Sequence, residues 1–98
     1  MASYVGASPE QEAADAILTA FAAEAKKGDP ASPEARALVV RWRDHLAEYH
    51  NGCDEEKLRR LAWLYGADDR FAEHLDSFGD GTAHFMGEAI EAYLENRL

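Results

Sequence analysis

Cys53 is the one thiol in this 98-residue chain, and Asp54-Glu55-Glu56 follow it directly. A cysteine at the foot of a helix meets unpaired backbone N–H groups, which favour the thiolate. Three adjacent acids oppose a further anion. With an ordinary pKa near about 8.5, a few per cent of such a thiol is ionised at neutral pH. That supports slow addition to a good electrophile and not rapid turnover. The bland reading of a lone cysteine is inert packing.

The histidines offer less. His45, His50, His74 and His84 show no zinc-type spacing with one another or with Cys53, and His-Glu-x-x-His is absent. His45 and His50 stand five apart, which turns them to different sides of a helix. No metal site is expected, and all four are read as solvated or hydrogen-bonded surface groups. The acids are spread along the chain without a pair in an acid–base context. Gly79-Asp80-Gly81-Thr82 reads as a helix-to-helix turn, not a phosphate cradle. No catalytic residue, cofactor or enzyme activity is expected.

The aromatics are more suggestive. Trp42, Tyr49, Tyr65, Phe71, Phe78, Phe85 and Tyr93 fall mostly on apolar helical faces, where core packing is the ordinary explanation. Trp63 differs. It stands between Ala62 and Leu64 at the edge of such a face, near Arg59 and Arg60. A half-exposed indole there offers a flat hydrophobic ligand a surface to stack on.

Five helices must position these groups. Ser8-Pro9-Glu10 and Ser32-Pro33-Glu34 each supply a hydroxyl N-cap, a proline in the first turn and an acid at the positive dipole end. The first helix, about residues 8–27, places Ala14, Ile17, Leu18 and Phe21 on one face and stops at Gly28-Asp29-Pro30. The second carries Leu38, Val39, Trp42, Leu46 and Tyr49 and ends at Asn51-Gly52. Asp54 caps a third, with Leu58, Leu61, Ala62 and Tyr65 inward and Gly66 as a left-handed C-cap. Asp68 caps a short fourth helix bearing Phe71, Leu75 and Phe78, and the fifth runs from Thr82 with Met86, Ala89, Ile90 and Tyr93 inward. No stretch alternates as a strand would, so the fold class is all-α, a single domain over 1–98 with short loops.

Nineteen acids against ten bases give a net charge of −9. This excludes a basic nucleic-acid face and an anionic membrane as partners of this chain. One cysteine fits a reducing cytoplasm, and no signal peptide or spanning segment is evident.

An ordered set of residues carries a resemblance. It comprises Arg41 and Trp42, Cys53, Leu58, Leu61 and Tyr65, then Ala67-Asp68, Arg70-Phe71, Leu75-Asp76 and Gly79. Gly81-Thr82-Ala83, Phe85, Ala89-Ile90 and Tyr93 complete it. In that order, over about residues 38 to 96 and in outline over the first helix, the chain resembles the TipAS domain. That domain is the drug-sensing half of a branch of MerR-type transcription activators. The resemblance implies a distorted globin-like helical fold without haem and a cleft for bulky hydrophobic antibiotics, thiopeptides such as thiostrepton among them. It also implies a cysteine able to capture dehydroalanine, carried over to Cys53, and a separate MerR-type DNA-binding head as the usual partner. No such head, and no N-terminal lid over the ligand, is recognised in this sequence, so it reads as an isolated effector domain or a stand-alone drug-sequestering protein. The cleft is expected between the second, third and fifth helices, lined by Trp42, Tyr49, Leu58, Trp63 and Phe85 beside Cys53. The competing readings are a helical protein-interaction module without a small-molecule ligand, and a globin-like haem sensor.

Overall fold

The computed structural model describes residues 8–95, and every regular element among them is an α-helix. They are α1 (Pro9–Lys27), α2 (Pro33–Tyr49), α3 (Glu55–Ala67), α4 (Asp69–Asp76) and α5 (Thr82–Glu95). Both Ser-Pro-Glu starts behave as their chemistry requires. Ser8 Oγ accepts the Gln11 N–H at 3.1 Å, and Ser32 Oγ accepts that of Ala35 at 3.0 Å. Gly28 closes α1 in the left-handed region at φ 79°. Asp54 opens α3 by accepting the Lys57 N–H at 2.8 Å.

Two caps depart from the sequence reading. Gly66 lies inside α3 and takes no left-handed turn; the helix closes two residues later on Asp68, in extended backbone at φ −102°. Asp68 then serves a second time, accepting the Arg70 N–H at the start of α4. The Asp68 carboxyl is held below its usual pKa, first by its side-chain bond from Arg70. Helix α5 is capped from a distance: Asp76, the last residue of α4, accepts the Ala83 N–H at 2.9 Å.

Helix α5 packs against all four other helices. Helices α1 and α2 pair with each other, as do α3 and α4, and the two pairs barely touch except through α5. The core therefore gathers on α5, where Met86 and Ile90 are fully buried, with Phe21, Leu18, Val39 and Leu58 facing them from the other elements. Gly87 marks a close approach to a neighbouring backbone: a Cβ there would lie 3.1 Å from the Ala62 carbonyl oxygen of α3. Between α2 and α5, Arg43 Nη1 donates to the Tyr93 hydroxyl at 2.8 Å, and the Arg36 guanidinium sits 5.3 Å over the same ring.

Of the aromatic residues expected in the core, Tyr49 and Phe71 are 40% and 39% exposed. Both stand where the two helix pairs part. Leu61, Phe78 and Tyr93 are partly buried and pack at the core's edge.

Candidate functional site: an aromatic groove between the helix pairs

The separation of the two pairs leaves a groove of about 560 Å³. Trp42, Leu46 and Tyr49 of α2 form one wall, Leu61, Tyr65, Phe71 and Leu75 of α3 and α4 the other, and Ala14 and Leu18 of α1 complete it. These positions face one another because each repeats at helical spacing on its own element. Across the groove, the Trp42 Nε1–H donates to the Tyr65 hydroxyl at 3.0 Å in a buried side-chain bond. Burial pushes the Tyr65 hydroxyl up to about 12, against a partly offsetting bond from Trp42. A buried indole and a buried phenol thus satisfy each other while leaving their ring faces apolar.

His45 overturns the surface reading: it is only 6% exposed. Its ring stacks on Trp42 with centroids 5.4 Å apart and leans on Tyr49 at 5.0 Å. The expected divergence of His45 and His50 also fails. Helix α2 ends at Tyr49, and His50 adopts φ −132° and ψ 35° as its C-cap. The non-helical backbone swings the His50 ring back to a centroid distance of 5.9 Å from His45. Glu10 of α1 reaches the same place, its Oε2 lying 3.5 Å from His50 Nε2.

The residues singled out from the sequence do not form one cluster. Trp42 and Tyr49 line the groove. Leu58 and Cys53 border a smaller hollow of about 360 Å³ with Arg43, Tyr93 and Leu94, where α2, α3 and α5 meet. Cys53 also lies in an open depression that shares Asn51, Lys57 and Leu61 with the groove. Trp63 is 68% exposed, on a different face of α3, beside shallow hollows next to Asp68–Arg70 and to Gly87. Phe85 is buried in the core. The main groove thus runs between α1–α2 and α3–α4 and takes no lining from α5, unlike the cleft expected between the second, third and fifth helices. Leu61, Tyr65, Phe71 and His45 are among the lining residues that the sequence reading assigned to core or surface. Their placement depends on which helices pair, which no local spacing encodes.

At Cys53, burial is the first influence and raises the thiol's pKa, with Asp54 adding to it; Lys57 and Arg43 pull the other way. Lys57 also fixes the connection between α2 and α3, donating to the carbonyls of His50 at 2.7 Å and Gly52 at 2.9 Å. The Asn51-Gly52 turn it holds takes positive φ at both residues, 64° and 91°.

The described residues thus form an all-α domain with a concave, aromatic-lined groove. The chain belongs to the TipAS antibiotic-recognition domain family, whose family model matches residues 9–93, the first helix included. It is 36% identical over 83 residues to the HTH-type transcriptional activator mta of Bacillus subtilis, covering 85% of this chain and 32% of that protein. It is 32% identical over 83 residues to the HTH-type transcriptional activators TipA of Streptomyces coelicolor and Streptomyces lividans, covering 84% of this chain and 33% of each. The chain thus spans about a third of the length of these curated relatives. No solved structure matches it significantly. Among the described residues, no helix is long and apolar enough to cross a membrane.

Proposed function

We propose that this chain is a non-catalytic, cytoplasmic effector domain that receives a bulky hydrophobic antibiotic of the thiopeptide class in the aromatic groove. In a longer form it would pass that binding to a MerR-type DNA-binding head. The observation that carries the reading is the groove itself, whose volume lies within the range of small-molecule sites and whose walls present Trp42, Tyr49, Tyr65 and Phe71. Family membership and the relatives' printed roles as transcriptional activators support it.

Cys53 lies beyond the groove's rim, so a large ligand seated on Tyr49 extends over Asn51 and Lys57 toward the thiol. The covalent step is an addition. The thiolate sulfur bonds to the β-carbon of a dehydroalanine, and the alkene electron pair moves to the α-carbon, which takes a proton from water. A thioether results, nothing leaves, and the mass gained is that of the ligand. Because burial raises the thiol's pKa, the thiolate is scarce at neutral pH and the rate climbs as pH rises into the alkaline range.

The test is titration of a Trp63→Phe variant with thiostrepton, reading Trp42 emission. Saturable quenching is expected, with Tyr49→Ala and Phe71→Ala each weakening binding by about tenfold or more at nearly unchanged melting temperature. Intact mass spectrometry should show a one-to-one adduct that Cys53→Ser abolishes while quenching persists. Unchanged affinity in both groove variants would overturn the assignment of the groove. An adduct absent at saturation would remove only the covalent step.

A further inference from the structure

We propose that Glu10, His45 and His50 form a binding site for a divalent transition-metal ion, Zn²⁺ by preference, at the mouth of the groove. One ligand atom from each lies within 4.8 Å of the other two. Tetrahedral zinc with bonds of about 2.0–2.1 Å needs its donors about 3.3 Å apart. The Glu10–His50 pair already stands at 3.5 Å. The remaining closure falls to those two side chains, which are 42% and 46% exposed and free to shift.

His45 supplies the second, independent observation. Its side chain is more than nine-tenths buried, yet its imidazole has no hydrogen-bond partner among the described residues. His45 is also one of the residues that line the groove. Stacking on Trp42 and Tyr49 holds that ring in one orientation. A fixed imidazole with two adjustable donors beside it is a preorganised chelate. Two imidazoles and a carboxylate suit zinc and not calcium or magnesium, which take oxygen donors.

The surroundings favour a cation. The site sits at the C-terminal, negative end of the α2 dipole, in a chain of net charge −9. Lys57, the nearby ammonium lining the groove, is tied to the His50 and Gly52 carbonyls, not to the imidazoles. Bound metal would join the first turn of α1 to the end of α2 and fix that lip of the groove. The inference does not rest on the ligand proposed above: it needs only these three side chains.

The experiment uses tag-free protein stripped with chelator, then titrated with Zn²⁺ against a chromophoric competitor, and with Co²⁺ for its visible d–d bands. One-to-one binding and a melting temperature raised by metal and restored by chelator are expected. Glu10→Gln and His50→Ala, at a half-buried and an exposed position outside the core, should each weaken binding by about tenfold or more. His84→Ala and Cys53→Ser should leave it within about twofold, since neither residue belongs to the site. Absence of saturable binding at micromolar metal would overturn the proposal. So would binding that survives both site variants, or that is lost in His84→Ala or Cys53→Ser instead.

Discussion

The two faces of α3 are built in opposite ways. Toward α5 the backbones approach closely: Gly87 presses on the Ala62 backbone, with Met86 and Ile90 fully buried on the same helix. Toward α2 the contact is made by large rings. Trp42 and Tyr65 meet edge to hydroxyl, and Tyr49 and Phe71 stand partly in water. Helix α5 explains both. By packing on every other helix it draws α3 close, and by standing between the pairs it holds α1–α2 away from α3–α4. The lesson is that a groove need not be carved from a core. It can be the distance left between two units docked on a common third.

The largest effect that would break this comparison is expected on the tight side. Ile90→Ala empties a fully buried site and should cost about 2–5 kcal/mol in urea unfolding, whereas Leu61→Ala, on the half-buried groove wall, should cost less. Equal losses would mean that the groove wall is as closely packed as the α5 contact.

Next comes alkaline titration. The Tyr65 pKa is raised from 10.0 to about 12 in the folded protein, so the neutral form is favoured on folding. Its contribution is whole below pH 10 and is lost as pH rises toward 12, a fall of roughly 2–3 kcal/mol. Tyr65→Phe should abolish that fall. Its persistence in the variant would place the titrating group elsewhere.

Smaller still is a pair of glycine substitutions in neighbouring helices. Gly87→Ala brings a methyl to 3.1 Å from a backbone carbonyl that cannot yield, and a net loss of about 1 kcal/mol is expected despite better helix propensity. Gly66→Ala meets nothing within 4 Å and should gain up to about 1 kcal/mol. Reversed signs would refute the account of the α3–α5 contact. Last, Trp63→Ala should change stability by no more than about 0.5 kcal/mol and leave groove binding intact.

Much of this architecture was legible in the sequence. The Ser-Pro-Glu starts, Gly28 and the apolar faces of α1, α2 and α5 are local signals, and locally determined structure follows them. Gly66 misled because a glycine near a helix end is tolerated inside the helix, at a cost of about 1 kcal/mol against alanine, when the chain can continue its hydrogen bonds; Asp68 provided the stop. His45 and His50 misled for a related reason. Spacing of five predicts divergence only while the helix continues, and α2 stops between them. Tyr49, Phe71 and Leu61 share their helical faces with core residues, and only the pairing of helices decides which end of a face stays open. Cys53 was legible as a turn residue, but the hollow it borders was not, because Tyr93 and Leu94 on its far side are forty residues away in the chain.

The position of α5 in the chain has a consequence for biosynthesis. The α1–α2 and α3–α4 hairpins emerge from the ribosome first, each with an apolar face that only α5 covers. Until Met86 and Ile90 are clear of the exit tunnel, neither hairpin has its docking partner, and the nascent chain carries two unsheltered surfaces. Domain closure is therefore deferred to the end of translation of this segment and occurs in one cooperative step rather than hairpin by hairpin. A released chain ending at Gly79 is therefore expected to be protease-sensitive and without the Trp42–Tyr65 bond, although both residues are present.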